Sequence, residues 1–68
     1  AIGLKIGYLR RTRGLTQEQL AERSGISAGF LSQIEAPNIS VGMSLATLFS
    51  IAEVLNVPPY KLLDNEQP

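Results

Sequence analysis

TQEQLAERSGISAGFLSQIE, residues 16–35, reads as two short helices joined by a tight turn. Thr16 and Gln19 stand three apart, as in a capping box, where the hydroxyl takes the N3 amide and the Gln side chain reaches back. Leu20 and Ala21 then face inward on a helix of about two turns. Gly25 supplies the left-handed residue that stops it without steric cost. Ser27 can cap a second helix whose inward residues are Leu31 and Ile34. Two helices crossing steeply need a small residue where their axes approach, and Ala21 is that residue. Leu20, Ile26, Leu31 and Ile34 fill the facing sides.

The flanks extend the same pattern. Ile2, Ile6, Leu9 and Arg13 recur on one helical face, and Gly14 ends that helix just after the basic run Arg10, Arg11 and Arg13. Gly3 and Gly7 read only as weak helix formers here, since a membrane dimer motif needs an apolar 20-mer around it. Ala36-Pro37-Asn38 breaks the third helix, because an interior Pro loses a hydrogen bond and clashes with the preceding turn. A loop follows through Gly42. Ser44 can cap a fourth helix carrying the apolar stripe Leu45, Leu48, Ala52 and Leu55. Pro58 and Pro59 suit the first turn of a fifth, PYKLLDN. No stretch alternates like a strand, repeats, or is of low complexity. The expected fold is all-α with five helices, a single domain over residues 1–68 with an ordered core from 2 to 64 and a polar tail at 65–68.

The chain of 68 residues has neither Cys nor His, which removes disulfides, the usual zinc ligands, the usual thiol nucleophile and the usual general base. No metal, cofactor or enzymatic activity is expected. No run of apolar residues approaches the ~20 needed to span a bilayer, and no signal-peptide profile opens the chain. A cytoplasmic location fits. The formal net charge is zero, which taken alone argues against a nucleic-acid partner. The average hides a division. Residues 1–23 hold five basic against two acidic side chains, while residues 24–68 hold one basic against four acidic.

The spacing of Gln17, Leu20-Ala21, Gly25-Ile26, Leu31 and Ile34 meets the demands of a helix-turn-helix motif. In sequence the chain resembles the phage repressor/Cro-like family, also called the xenobiotic-response-element family of bacterial regulators. The resemblance runs over roughly residues 4–63. It rests on the basic first helix, LTQEQLAERSGIS, the LSQIE ending and the closing SLATLFSIAEVLNVPPYKLL. It implies a compact five-helix bundle of the lambda-repressor-like DNA-binding type, with the motif formed by helices 2 and 3. The function implied is a sequence-specific, repressor-like transcriptional regulator whose partner is double-stranded DNA.

The resemblance also assigns residues. Gln17, capped by Thr16, matches the family's phosphate-binding Gln at a helix N-terminus, which is a natural anion site; otherwise it is a solvated first-turn residue. The base-reading positions match Ser27, Ala28, Gly29, Ser32 and Gln33. Among these Gln33 is best equipped, since a carboxamide can pair bidentately with adenine. Ala28 and Gly29 depart from the longer polar side chains common in the family, so either the helix docks closely there or these positions are not read. Phe30 matches an aromatic that lies against the sugar-phosphate backbone; covering the edge of the core is the other reading. Arg10 and Glu35 match an internal ion pair, with the Arg also near a phosphate. The family's loop cations are missing between Ala36 and Met43, so phosphate contacts fall to Arg10, Arg13, Asn38, Ser40 and backbone amides, with Lys5 and Arg11 as further candidates.

A single such module covers little DNA, and two-fold dimers are the usual remedy. The expectation is a homodimer on a pseudo-palindromic operator, meeting through Val57, Pro59, Tyr60 and Leu63, where apolar residues exceed what a small core needs. A sensor domain beyond Pro68 in a longer parent chain is compatible with this. The competing reading is a protein-interaction or antitoxin-like module that keeps the fold with weak or no DNA binding. Zero net charge, the uncharged loop and the Ala28-Gly29 pair speak for it.

Overall fold

A computed structural model describes residues 2–37 and 42–63. Five helices follow in order: α1 (Ile2–Thr12), α2 (Gln17–Ser24), α3 (Ala28–Glu35), α4 (Leu45–Leu55) and α5 (Pro59–Leu63). The described residues contain no strand. The tail from 64 onward and the loop positions Asn38 and Ser40 lie outside the described residues.

The expected caps form. Thr16 Oγ1 accepts from the Gln19 N–H at 3.0 Å while Gln19 Oε1 accepts from the Thr16 N–H at 2.8 Å, completing the capping box. Ser27 and Ser44 cap α3 and α4 by accepting from the N–H groups of Phe30 and Thr47. Gly25 closes α2 at φ 76°. Its neighbour Ile26 donates back to the Ala21 carbonyl at 3.0 Å, the bond that satisfies an otherwise orphaned helix-end acceptor.

All five helices contribute to one core: Ile6 from α1, Leu20 and Ala21 from α2, Leu31 and Ile34 from α3, four residues of α4, and Leu62 from α5. The α4 stripe differs from expectation at one end. Leu45 is 66% exposed and Ile51 is fully buried in its place. Leu45 is the first residue of α4, whereas Ile51 lies mid-helix, where α4 packs against both α2 and α5. Two neighbours widen the buried face beyond a single stripe.

The glycines of α1 also do more than weaken a helix. A Cβ on Gly3 would run into the carbonyl oxygen of Ile34 and come within 2.9 Å of its carbonyl carbon. At Gly7 a Cβ would stand 3.2 Å from Glu35 Oε1. The two positions, one helical turn apart, let α1 lie directly on the end of α3. Close helix approach, rather than chain flexibility, explains both.

Candidate nucleic-acid interface

The outward side of α3 is narrow. Gly29, Ser32 and Gln33 are all exposed, and their i, i+3, i+4 spacing places them on one stripe. A Cβ on Gly29 would meet no atom within 4 Å, so nothing inside the protein requires glycine there. Ser27 is exposed at the head of the helix. Its oxygen accepts from the Phe30 N–H at 3.0 Å, leaving the hydroxyl hydrogen to donate. Ala28 and Phe30, on either flank, are half-buried and packed against the core. For Phe30 this realises the core-edge reading. The five positions proposed as base-reading are thus an exposed stripe of three, an exposed cap and a half-buried Ala.

Behind this stripe lies a polar brace. Arg10 donates from Nε to Glu35 Oε2 at 2.8 Å and from Nη2 to Glu35 Oε1 at 3.0 Å. The two side chains are only 11% and 6% exposed. Arg10 Nη1 donates to the Leu15 carbonyl at 2.9 Å. Such a bidentate pair has a fixed planar geometry. Every nitrogen of the Arg10 guanidinium therefore has an internal acceptor, which makes it a support for the motif, and these three bonds use three of its five N–H groups.

Gln17 joins the same carboxylate, donating from Nε2 to Glu35 Oε1 at 3.0 Å. Neither this bond nor its partner across 18 residues was visible in the spacing. Thr16 is exposed, with its oxygen occupied by the capping box. Because that box ties the N–H groups of Thr16 and Gln19, the first turn of α2 leaves the N–H groups of Gln17 and Glu18 without an intrahelical acceptor.

Arg13 has a role that sequence reasoning missed. Its Nε donates to the Leu55 carbonyl at 2.8 Å, and Nη1 donates to Thr12 Oγ1 at 3.1 Å. A cation at the C-terminal carbonyls of α4 is electrostatically favourable. A contact spanning 42 residues has no local signal. The basic surplus of the first 23 residues is thus partly engaged within the protein: Arg10 braces α3, and the exposed Arg13 holds the end of α4.

The surface of α5 is mixed. Tyr60 and Leu63 are 66% and 50% exposed, while Val57 and Pro59 are half-buried and Val57 packs against the core. Leu4, Tyr8 and Phe49 are further exposed apolar side chains that the sequence reading did not single out.

Two short helices crossing through a glycine turn, the second with an exposed stripe and a braced base, define a helix-turn-helix module. The helix-turn-helix family pattern matches residues 6–62, and the chain belongs to that family, in its phage repressor/Cro-like form. It is 34% identical over 65 residues to the HTH-type transcriptional regulator SinR of Bacillus subtilis (strain 168), covering 96% of this chain and 58% of SinR. It is also 34% identical over 65 residues to the immunity repressor protein of Bacillus phage phi105, covering 96% of this chain and 44% of that protein. The chain thus spans about half the length of these two relatives. Among solved structures, SinR in complex with DNA, described as the master regulator for biofilm formation, superposes with a TM-score of 0.86 at 34% identity. That match covers 94% of this chain and all of the other.

Proposed function

We propose that the chain is a DNA-binding domain of a repressor-like transcriptional regulator that reads the major groove with α3. The observation that carries this is the exposed stripe Gly29, Ser32 and Gln33 on a helix whose inner side is locked by core packing and the Arg10–Glu35 brace. A rigid helix with a bare outer face suits insertion into a groove. The named activities of the relatives, and the DNA in the SinR structure, support the same reading. Ser27, Ala28, Gly29, Ser32 and Gln33 meet the bases. Phosphates are met by Thr16, Gln17, the flank of Phe30, the exposed Arg13, and Asn38 and Ser40 in the loop. Arg10, while holding Glu35, also meets a phosphate with an N–H that the brace leaves over. The domain occupies residues 1–68, recognises rather than catalyses, and acts in the cytoplasm; no helix among the described residues is long and apolar enough to cross a membrane. Two copies meeting through Val57, Pro59, Tyr60 and Leu63 bind a pseudo-palindromic operator.

The test is selection of bound sequences from a random duplex library, followed by titration of the selected site. Gln33→Ala is expected to weaken that site by about tenfold and to relax preference at one base pair, since a good bidentate contact contributes about 1–3 kcal/mol of discrimination. No measurable binding to any duplex sinks the reading. A protein-interaction module is the second reading, favoured by the internal engagement of Arg10 and Arg13 in a chain of zero net charge. Absence of duplex binding at low salt together with a folded chain supports that alternative.

A further inference from the structure

Glu35 receives three hydrogen bonds from two other helices. Arg10 of α1 reaches both oxygens, and Gln17 of α2 reaches Oε1 at 3.0 Å. The carboxylate is seated against α1 at Gly7, where a Cβ would stand 3.2 Å from Oε1 and 3.4 Å from the carboxylate carbon. The Arg10 pair alone would suffice to neutralise the carboxylate. The Gln17 bond adds something different, because a carboxylate only accepts hydrogen bonds, whereas a carboxamide has one accepting and one donating end. Turned by half a revolution, Gln17 would set its own oxygen against Glu35. Glu35 therefore selects one of the two amide orientations. In that orientation Nε2 uses one hydrogen internally and retains a second.

We propose that Glu35 is a positioning residue for Gln17, holding one Nε2 hydrogen so that the other is presented to a DNA phosphate at the first turn of α2. The inference rests on the DNA-binding reading above and adds to it a link from the end of the base-reading helix to the phosphate anchor. Gln17 sits at the first position of α2, beside the two backbone N–H groups that the capping box leaves without an intrahelical acceptor. A misoriented amide would bring its oxygen toward that phosphate and repel it. The carboxylate thereby converts a two-state side chain into a fixed donor before DNA arrives, which lowers the ordering cost of the contact.

The test is a double-mutant cycle on the 68-residue chain, using Gln17→Met, Glu35→Gln and both together. Affinity for a 20-base-pair duplex of random sequence is read by fluorescence anisotropy at on the order of 50 mM salt, where phosphate contacts dominate. Thermal unfolding of each variant fixes a working temperature at which all are folded. With Glu35 present, Gln17→Met is expected to weaken binding about tenfold, the scale of one hydrogen bond to a charged group. In the E35Q background, whose amide no longer rejects the flipped Gln17, about half the side chains start misoriented, so the same change is expected to weaken binding only about fivefold. The change in net charge is common to both E35Q proteins and cancels in the cycle. Equal losses in both backgrounds overturn the positioning role and leave the phosphate contact standing. No loss in either background overturns the phosphate contact of Gln17, and the positioning role with it. If wild type binds no duplex, the DNA-binding reading fails and the inference fails with it.

Should E35Q not fold, the wild-type chain still decides the matter by NMR of the Gln17 side-chain amide. Two resolved Nε2 protons are expected, of which only the one not held by Glu35 shifts on adding duplex. Two protons that move together overturn the proposal.

Discussion

The two halves of the molecule end their first helices in the same way and then present opposite surfaces. Gly25 after α2 and Asn56 after α4 both adopt the left-handed conformation, at φ 76° and φ 60°. In both turns the next residue, Ile26 or Val57, donates to a carbonyl of the preceding helix at 3.0 Å. Beyond the turn the halves part. The eight-residue α3 carries a serine cap and a polar outer stripe, whereas the five-residue α5 starts on Pro59 and exposes Tyr60 and Leu63. One backbone device, used twice, builds a polar face in one half and an apolar face in the other. The turn sets the crossing of the helices, and the side chains after it decide what the surface can meet.

The sharpest way to break the comparison is to remove the polar brace that, among the described residues, only the first half possesses. Glu35→Ala leaves Arg10 buried without its anion, and a loss of about 3 kcal/mol or more is expected in urea denaturation. A loss under about 1 kcal/mol would mean that apolar packing alone holds α1 on α3. Exchanging the turns gives smaller changes of opposite sign. Gly25→Ala forces a Cβ into the left-handed region and is expected to cost about 1–2 kcal/mol. Asn56→Gly relieves the same strain and is expected to gain a few tenths, measured in the same way. Equal responses would show that the two turns are not under comparable strain.

The smallest effect sharpens the difference between the surfaces. Gly29→Ala meets open space and is expected to stabilise the free chain by up to about 1 kcal/mol, seen as a higher Tm. If α3 docks closely on DNA at this point, the same change weakens duplex binding. A rise in stability with unchanged affinity would show that the backbone at Gly29 is not approached.

What the sequence disclosed was what is local. The caps at Thr16, Ser27 and Ser44 and the glycine turn at Gly25 depend on residues within a few positions of one another, and all four form. The inward residues of α2 and α3 were legible because helical periodicity fixes them. Leu45 was misjudged because periodicity carries no information about where a neighbouring helix stops. Asn56 had a readable signal, an Asn just before Val57-Pro58, yet Asn tolerates the left-handed region without announcing it as plainly as Gly does. The function of Gly3 and Gly7, the Gln17–Glu35 bond and the Arg13–Leu55 contact all depend on helices meeting across tens of residues. The overall charge division was legible and the resemblance implied the Arg10–Glu35 pair, but the contact of Arg13 with the end of α4 was not. Only the fold reveals which cations still face solvent.

The arrangement of α3 has a consequence for how such a domain can change over time. Leu31, Ile34 and Glu35 are buried and Ala28 and Phe30 half-buried, while Gly29, Ser32 and Gln33 are open. Substitutions at the three open positions therefore escape the selection for folding that constrains their neighbours. New target preferences can be sampled there by single changes, each leaving a stable protein on which the next can be tried.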